Sequence, residues 1–386
     1  MTTTKKADSA TEAALIPSAQ IQGLPHVLDA VGHVATAPAA AALSPAAARA
    51  SAAQLRLLDR DHSILAFNER VFHWVGRKDV PLLERLRYLC IVSSNLDEFF
   101  EVRAEPHITA ARTGETKGEH TVATFEALSA KAHDLVERQY ALYNDALMPA
   151  LAREGVRVVS HGERNAAQRR WVHEYFVREV RPLLVPISLD PAHPFPQVAN
   201  KSLNFIVRLK GSDAFGRENE IAIVRVPRLL PRFTRMPAKV APKGMQFVSV
   251  SSVVRAHLTD LFPGREVVEF AQFRVTRHSD LAVDEEDVRN LRTVLRQGLQ
   301  HRNFGTAVRL EVSAGSSEYL ADFLLRQFDL PRAALYRVQG PVNLVRFSQL
   351  IDLVANPAWM FAPWRPTWPH QIQPSASILE QLKQGD

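Results

Sequence analysis

Phe205-Ile206-Val207-Arg208-Leu209 and Ile221-Ala222-Ile223-Val224-Arg225-Val226 stand either side of a polar, glycine-bearing interval. Two β-branched runs separated by turn-forming residues read as an antiparallel hairpin with a long loop. That reading decides the fold class. Further strands are expected at 246–250, 270–276, 307–312 and 335–338, with helical periodicity at 253–261, 285–299, 317–328 and 344–353. Strict alternation of strand and helix would indicate a parallel α/β sheet, but the hairpin and the uneven spacing favour α+β, with helices packed on a mostly antiparallel sheet.

Upstream of the hairpin the period is helical. Ile64, Phe67, Val71 and Trp74 place one apolar stripe on a helix ending near Gly76. Pro81 suits the first turn of a second helix, whose stripe is Leu82, Leu86, Leu89 and Cys90, leaving Glu84, Arg85 and Arg87 for solvent or a ligand. Asn95 and Glu98 then have the spacing of a helix N-cap and its reciprocal acceptor, which predicts a fresh helix start. Phe125, Leu128, Ala132, Leu135, Leu142 and Ala146 mark a longer helix, over 121–147, stopped by Pro149, and another around Trp171 and Tyr175 stops at Pro182. Residues 55–155 therefore read as a helical bundle preceding the mixed part.

The chain has 386 residues, 46% hydrophobic and 23% charged, with a formal charge of +6. This composition is that of a folded protein of two or three domains and excludes collagen-like or low-complexity designs. The single cysteine, Cys90, can make no intrachain disulfide and no Cys-rich zinc site, so a reducing cytoplasm is expected. No apolar run is long enough to span a bilayer. Residues 1–54 are about one-third Ala and contain no Phe, Tyr or Trp, which predicts a disordered extension. Beyond Asn356 the sequence becomes rich in Pro and Trp, as in a connector lying on a surface, and Ile378, Leu379 and Leu382 share a helical face with no later element to bury them.

Chemical signatures are sparse. There is no Gly-x-x-x-x-Gly-Lys-Ser/Thr loop, no Gly-rich dinucleotide turn after a strand and no His-Glu-x-x-His helix. None of the 14 histidines has Lys two residues later, so no phosphohistidine motif of the phospholipase D type is present, and neither a catalytic nor a metal-binding residue is assigned. The charge distribution is one-sided: between Glu220 and Asp260 there is no acid, while Arg225, Arg228, Arg232, Arg235, Lys239, Lys243 and Arg255 all fall there. Such a stretch can attract polyanions and pair with phosphate oxygens; the alternative is an Arg-rich loop that solubilises an edge. Asn95 also has two readings, a helix cap or an amide facing the edge of an adenine ring. His193, in Asp190-Pro191-Ala192-His193-Pro194-Phe195-Pro196, is either a ligand or base on a stiff loop or a structural hydrogen-bonding residue.

Three strings narrow the choice. Leu65-Ala66-Phe67-Asn68-Glu69-Arg70-Val71, Pro81-Leu82-Leu83-Glu84-Arg85-Leu86 and Ser93-Ser94-Asn95-Leu96-Asp97-Glu98-Phe99-Phe100-Glu101-Val102-Arg103 together resemble, in order and spacing, the N-terminal domain of the bacterial polyphosphate kinases that work through a phosphohistidine. The 190–196 loop, Phe273-Arg274-Val275-Thr276-Arg277 and Gly340-Pro341-Val342-Asn343-Leu344 resemble the head domain of the same family. The resemblance implies domains at 55–155 (N-terminal) and 156–370 (head), then the start of a linker at 371–386. It implies reversible transfer of the terminal phosphate of ATP to inorganic polyphosphate, with magnesium, and makes Asn95 the ATP-binding residue of this chain. It also implies a homo-oligomer formed through the head domain, which borders the polyphosphate path. The family's catalytic histidines and magnesium ligands lie in two later phospholipase D-like domains. The expectation is therefore a chain without turnover of its own that needs a C-terminal catalytic polypeptide; the alternative is a non-catalytic or regulatory protein binding polyphosphate or nucleic acid.

Overall fold

The structure, a computed structural model, describes residues 59–114, 116, 118, 120–190, 194–212, 216, 218–279, 305–364, 367 and 377–383. The Ala-rich extension, His193 and the helix expected at 285–299 lie outside these residues.

Three helices form the N-terminal layer. Helix α1 (Arg60–Gly76) starts at Asp59, whose side chain accepts from the His62 N–H. Helix α2 (Leu82–Thr113) runs for 32 residues, about 48 Å at 1.5 Å per residue, and ends at Gly114 in the left-handed conformation, whose N–H returns to the Ala110 carbonyl. Helix α3 (Val122–Leu142) opens with a capping box between Thr121 and Thr124.

Three expectations change here. The stripe buried on α1 is Leu65, Phe72 and Val75 with Asn68 among them, one residue round from the expected one, and Phe67 and Trp74 are on the outside. No new helix begins at Asn95, because the apolar spacing of Leu89, Val92, Leu96 and Phe99 carries straight through. The polar residues that suggested a break have partners elsewhere in the fold: Gln139 Nε2 donates to Ser93 Oγ at 2.8 Å, and Asp97 pairs with Arg274. Pro149 does not stop the third helix. A π turn at Tyr143–Leu147 resets the backbone, and helix α4 (Met148–Arg153) follows with the proline in its first turn.

After α4 come β1 (Val156–Val158), α5 (Ala166–Tyr175) and β2 (Val185–Ser188). The hairpin strands are β3 (Asn204–Lys210) and β4 (Ile221–Arg225), paired antiparallel with Ile206 opposite Ile223. Then follow β5 (Phe233–Arg235), β6 (Met245–Ser249), α6 (Val250–Ala256), β7 (Glu266–Arg277), β8 (Ala307–Ser313), α7 (Glu318–Phe328), β9 (Leu335–Val338) and α8 (Ser348–Val354), and a short helix α9 (Ile378–Leu382). Six strands form one sheet in the order β2-β4-β3-β7-β8-β9, antiparallel throughout except for β8 beside β9; β1-β6-β5 form a smaller sheet. The fold is α+β, as the hairpin indicated. Strand β2 sits at an edge, where Pro186 costs no ladder hydrogen bond on its open side.

Helices and sheets share one hydrophobic core, from Leu65 and Leu86 through Phe205 and Phe273 to Phe347. The Gly340–Leu344 turn is pinned to the helical layer: Tyr140 Oη donates to the Pro341 carbonyl at 2.8 Å, and a Cβ on Gly340 would come within 3.0 Å of the Tyr140 ring. Among the described residues no helix is long and apolar enough to cross a membrane.

Candidate functional site

Asn95 lies inside α2, half-buried, on the side facing α1. Its Nδ2 donates to Asn68 Oδ1 at 3.1 Å, and Asn68 Nδ2 donates in turn to the Val92 carbonyl at 3.0 Å. Asn68 is 2% exposed and occupies a core position of the α1 stripe, so its amide has little freedom. One donor of Asn95 is thereby fixed on Asn68, and a second N–H and the Oδ1 acceptor are left on a half-exposed group. A neighbouring donor and acceptor on one amide match the edge of a purine base. Asn68 was legible only as a polar residue interrupting a buried stripe. Phe67, the next residue on α1, is 53% exposed, and Ile91, one turn before Asn95 on α2, is 37% exposed.

Two residues after Asn95, about 200° round the helix, Asp97 points the other way, into the sheet. Its Oδ1 and Oδ2 accept from Arg274 Nη2 and Nη1, each at 2.8 Å, and its Oδ1 lies 3.5 Å from Arg309 Nη1. Glu311 completes the cluster, paired with Arg274 Nε and with Arg309 Nη2 at 3.1 Å. The Arg309 guanidinium lies over the rings of Phe100 and Tyr336. All four charged residues are buried. Burial works against the charge of Arg274, but the carboxylates of Asp97 and Glu311 outweigh it and raise its pKa. Two guanidinia and two carboxylates thus balance within the core and tie α2 to β7 and β8, which fixes the rotation of α2 and with it the direction of Asn95.

Other polar residues of the same helices are committed to structure. Glu84 is buried and accepts from the Phe361 N–H at 3.3 Å and from Arg87 at 3.0 Å, so it is not left for a ligand, and Arg85 Nε donates to the Val75 carbonyl at 2.8 Å. Asp61 accepts from Arg103 at 2.7 Å and pairs with His107 at 2.9 Å, near His120. Burial raises its pKa, but these partners outweigh it and leave the carboxyl below its ordinary value. Magnesium prefers six oxygen ligands with carboxylates open to it. Asp97 is taken by Arg274, and Glu101 by Lys201 at 2.8 Å and Asn200 at 2.5 Å, so the acids nearest Asn95 on the inner side of α2 do not fit that ion.

The acid-free stretch divides. Arg225, Arg235, Lys239, Lys243 and Arg255 are exposed, whereas Arg232 turns inward and is 6% exposed. Arg232 and Arg228 line a cleft with Lys201 and Arg346. Lys201 and Arg346 lie far from the stretch in sequence, so only the fold brings them together. A larger groove of about 680 Å³ between α3 and β9 contains none of the residues singled out from sequence.

Residues 57–159 match the family described as polyphosphate kinase N-terminal domain, and residues 167–350 match the polyphosphate kinase middle domain. The chain is 47% identical over 336 residues to a polyphosphate kinase of Neisseria meningitidis, an alignment covering 86% of this chain and 49% of the relative. It is 44% identical over 335 residues to one from Pseudomonas syringae, covering 85% and 45%. A crystal structure of polyphosphate kinase from Porphyromonas gingivalis shares the fold with a TM-score of 0.68 at 22% identity, over 85% of this chain and 46% of that one. The chain spans about half the length of the curated relatives it matches. With both domain descriptions matched in order along one continuous core, the chain belongs to the polyphosphate kinase family, carrying its N-terminal and middle domains.

Proposed function

We propose that this chain supplies the nucleotide-facing and polyanion-facing surfaces of an ATP:polyphosphate phosphotransferase. Asn95 contacts the base of ATP, and the exposed cations Arg225, Arg235, Lys239 and Lys243 attract polyphosphate. The observation that carries the reading is the placement of Asn95: it caps no helix, its amide is oriented by a buried asparagine, and its remaining donor and acceptor have no partner among the described residues. Transfer of the phosphate itself needs an activated nucleophile with cations about its developing charge, and we assign that step, with magnesium, to the half of the family's enzymes that this sequence does not cover. Oligomerisation through the middle domain and a cytoplasmic location belong to the same proposal.

Titration of ATP by calorimetry tests the nucleotide contact. Two hydrogen bonds to an uncharged base edge are together worth about 1–3 kcal/mol, so Asn95→Ala should weaken ATP binding roughly tenfold, with the unfolding midpoint lowered by a few degrees because Asn68 Oδ1 loses its donor. Equal affinity in the two proteins would remove Asn95 from the site.

A further inference from the structure

The residues from Val226 to Arg232 meet the Pro341–Arg346 turn at a cleft of about 40 Å³. Its lining carries Lys201, Arg228, Arg232 and Arg346, and no Asp or Glu. Two of these cations have partners: Lys201 Nζ is on Glu101 Oε2 at 2.8 Å, and Arg228 Nη2 donates to the Asn200 carbonyl at 2.5 Å. Arg232 has less. Its Nη2 donates to the Val342 carbonyl at 2.6 Å, its Nε is buried with no acceptor, and among the described residues no carboxylate pairs with it or with Arg346. Burial and the neighbouring Arg346 charge bring its pKa down to about 10. Elsewhere in the core Arg274 and Arg309 each have two carboxylates, whereas Arg164, also buried, has none and donates to Ser252 Oγ. Removing an unpaired charge from water costs several kcal/mol, which an anion in the cleft would offset.

The remaining wall gives the shape and protonation of that anion. Asn343 is held at φ 71°, its Nδ2 donates to the Lys201 carbonyl at 3.3 Å, and its Oδ1 is buried without a donor. A cavity needs about 10–15 Å³ of such volume per water, so this one has room for a few waters or one tetrahedral group.

We propose that the cleft is a seat for one phosphate-type oxyanion, gripped by Arg232 Nε and the Arg346 guanidinium, with Asn343 Oδ1 accepting from a protonated phosphate oxygen. Inorganic phosphate and the terminal phosphate of a polyphosphate chain present the same chemistry. The seat stands on the charge and shape of the cleft; only its assignment to a chain end rests on the proposed function.

Calorimetric titration of the full chain at constant ionic strength, with inorganic phosphate and with tripolyphosphate, tests it. Saturable one-to-one binding is expected, at least tenfold weaker in Arg346→Gln and in Arg232→Met, and unchanged in Arg326→Gln on the surface of α7. Because Arg232→Met removes a core side chain, the half-buried Arg346→Gln decides the matter if that variant does not fold. Tighter binding of tripolyphosphate assigns the seat to a chain end, and equal or tighter binding of inorganic phosphate assigns it to the free ion. Asn95→Ala should leave both affinities unchanged, so a failure at the nucleotide contact is distinguishable from a failure here. No saturable binding, or binding indifferent to Arg346→Gln, would overturn the proposal.

Discussion

Replacing Asp97 by Asn perturbs the cluster that ties α2 to the sheet while keeping the volume of the side chain. In the native protein Asp97 and Glu311 balance Arg274 and Arg309, and all four lie inside the core. The variant leaves two guanidinia against one carboxylate, a net charge of +1 out of reach of water. It also turns an amide NH2 towards guanidinium donors that had met a carboxylate oxygen at 2.8 Å. Arginine cannot escape by losing its proton. Breaking a buried pair from one side costs about 3–5 kcal/mol, a large part of the stability of an ordinary domain. Equilibrium unfolding in urea, followed by tryptophan fluorescence, should show a lower midpoint with an unchanged slope. Removing all four charges together, by Asp97→Leu, Arg274→Met, Arg309→Met and Glu311→Leu, should recover most of that loss, since apolar groups of similar volume replace buried ion clusters at little cost. A loss below about 1 kcal/mol in Asp97→Asn would refute the idea that charge balance in the core holds the helix in place.

Asp61 gives a pH dependence of definite sign. Its folded pKa lies below the ordinary value because of Arg103 and His107, so its contribution is present above the unfolded pKa near 3.9 and is lost as pH falls through the folded value. Asp61→Asn should flatten the acid limb of the stability profile below about pH 4, as read from urea midpoints across pH. Cys90 is buried, and burial pushes its thiol up to about 12. A thiol-specific disulfide reagent at neutral pH should therefore leave the native protein unmodified and label one thiol after denaturation; rapid labelling of the native protein would contradict this packing.

Most of the sheet was legible because its strands are β-branched and apolar runs, and β3, β4, β7, β8 and β9 lie where those runs placed them. Short strands carry no such signal. Three-residue β1 and β5 exist only because β6 offers both edges to them. Helix phase was harder to read, because the α1 sequence supports two stripes one residue apart and only packing against α2 selects Leu65, Asn68 and Phe72 over Phe67 and Trp74. At Asn95 the local structure was misleading: the polar residues beside it suggested a helix start, and their partners, Gln139 and Arg274, are distant in sequence. The cationic cleft was half visible. The acid-free stretch supplied Arg228 and Arg232, while Lys201 and Arg346 joined them only through the fold.

The surfaces for ATP and polyphosphate are proposed on this chain, and acceptance of the phosphate is proposed for the half of the family's enzymes that it does not cover. Synthesis of polyphosphate from ATP, measured with the purified chain alone and again with the C-terminal half of the Neisseria meningitidis relative added, tests it most directly. No synthesis is expected from the chain alone, and synthesis is expected with the added half, falling when Asn95 is replaced by Ala. Sustained synthesis by the chain alone would contradict it.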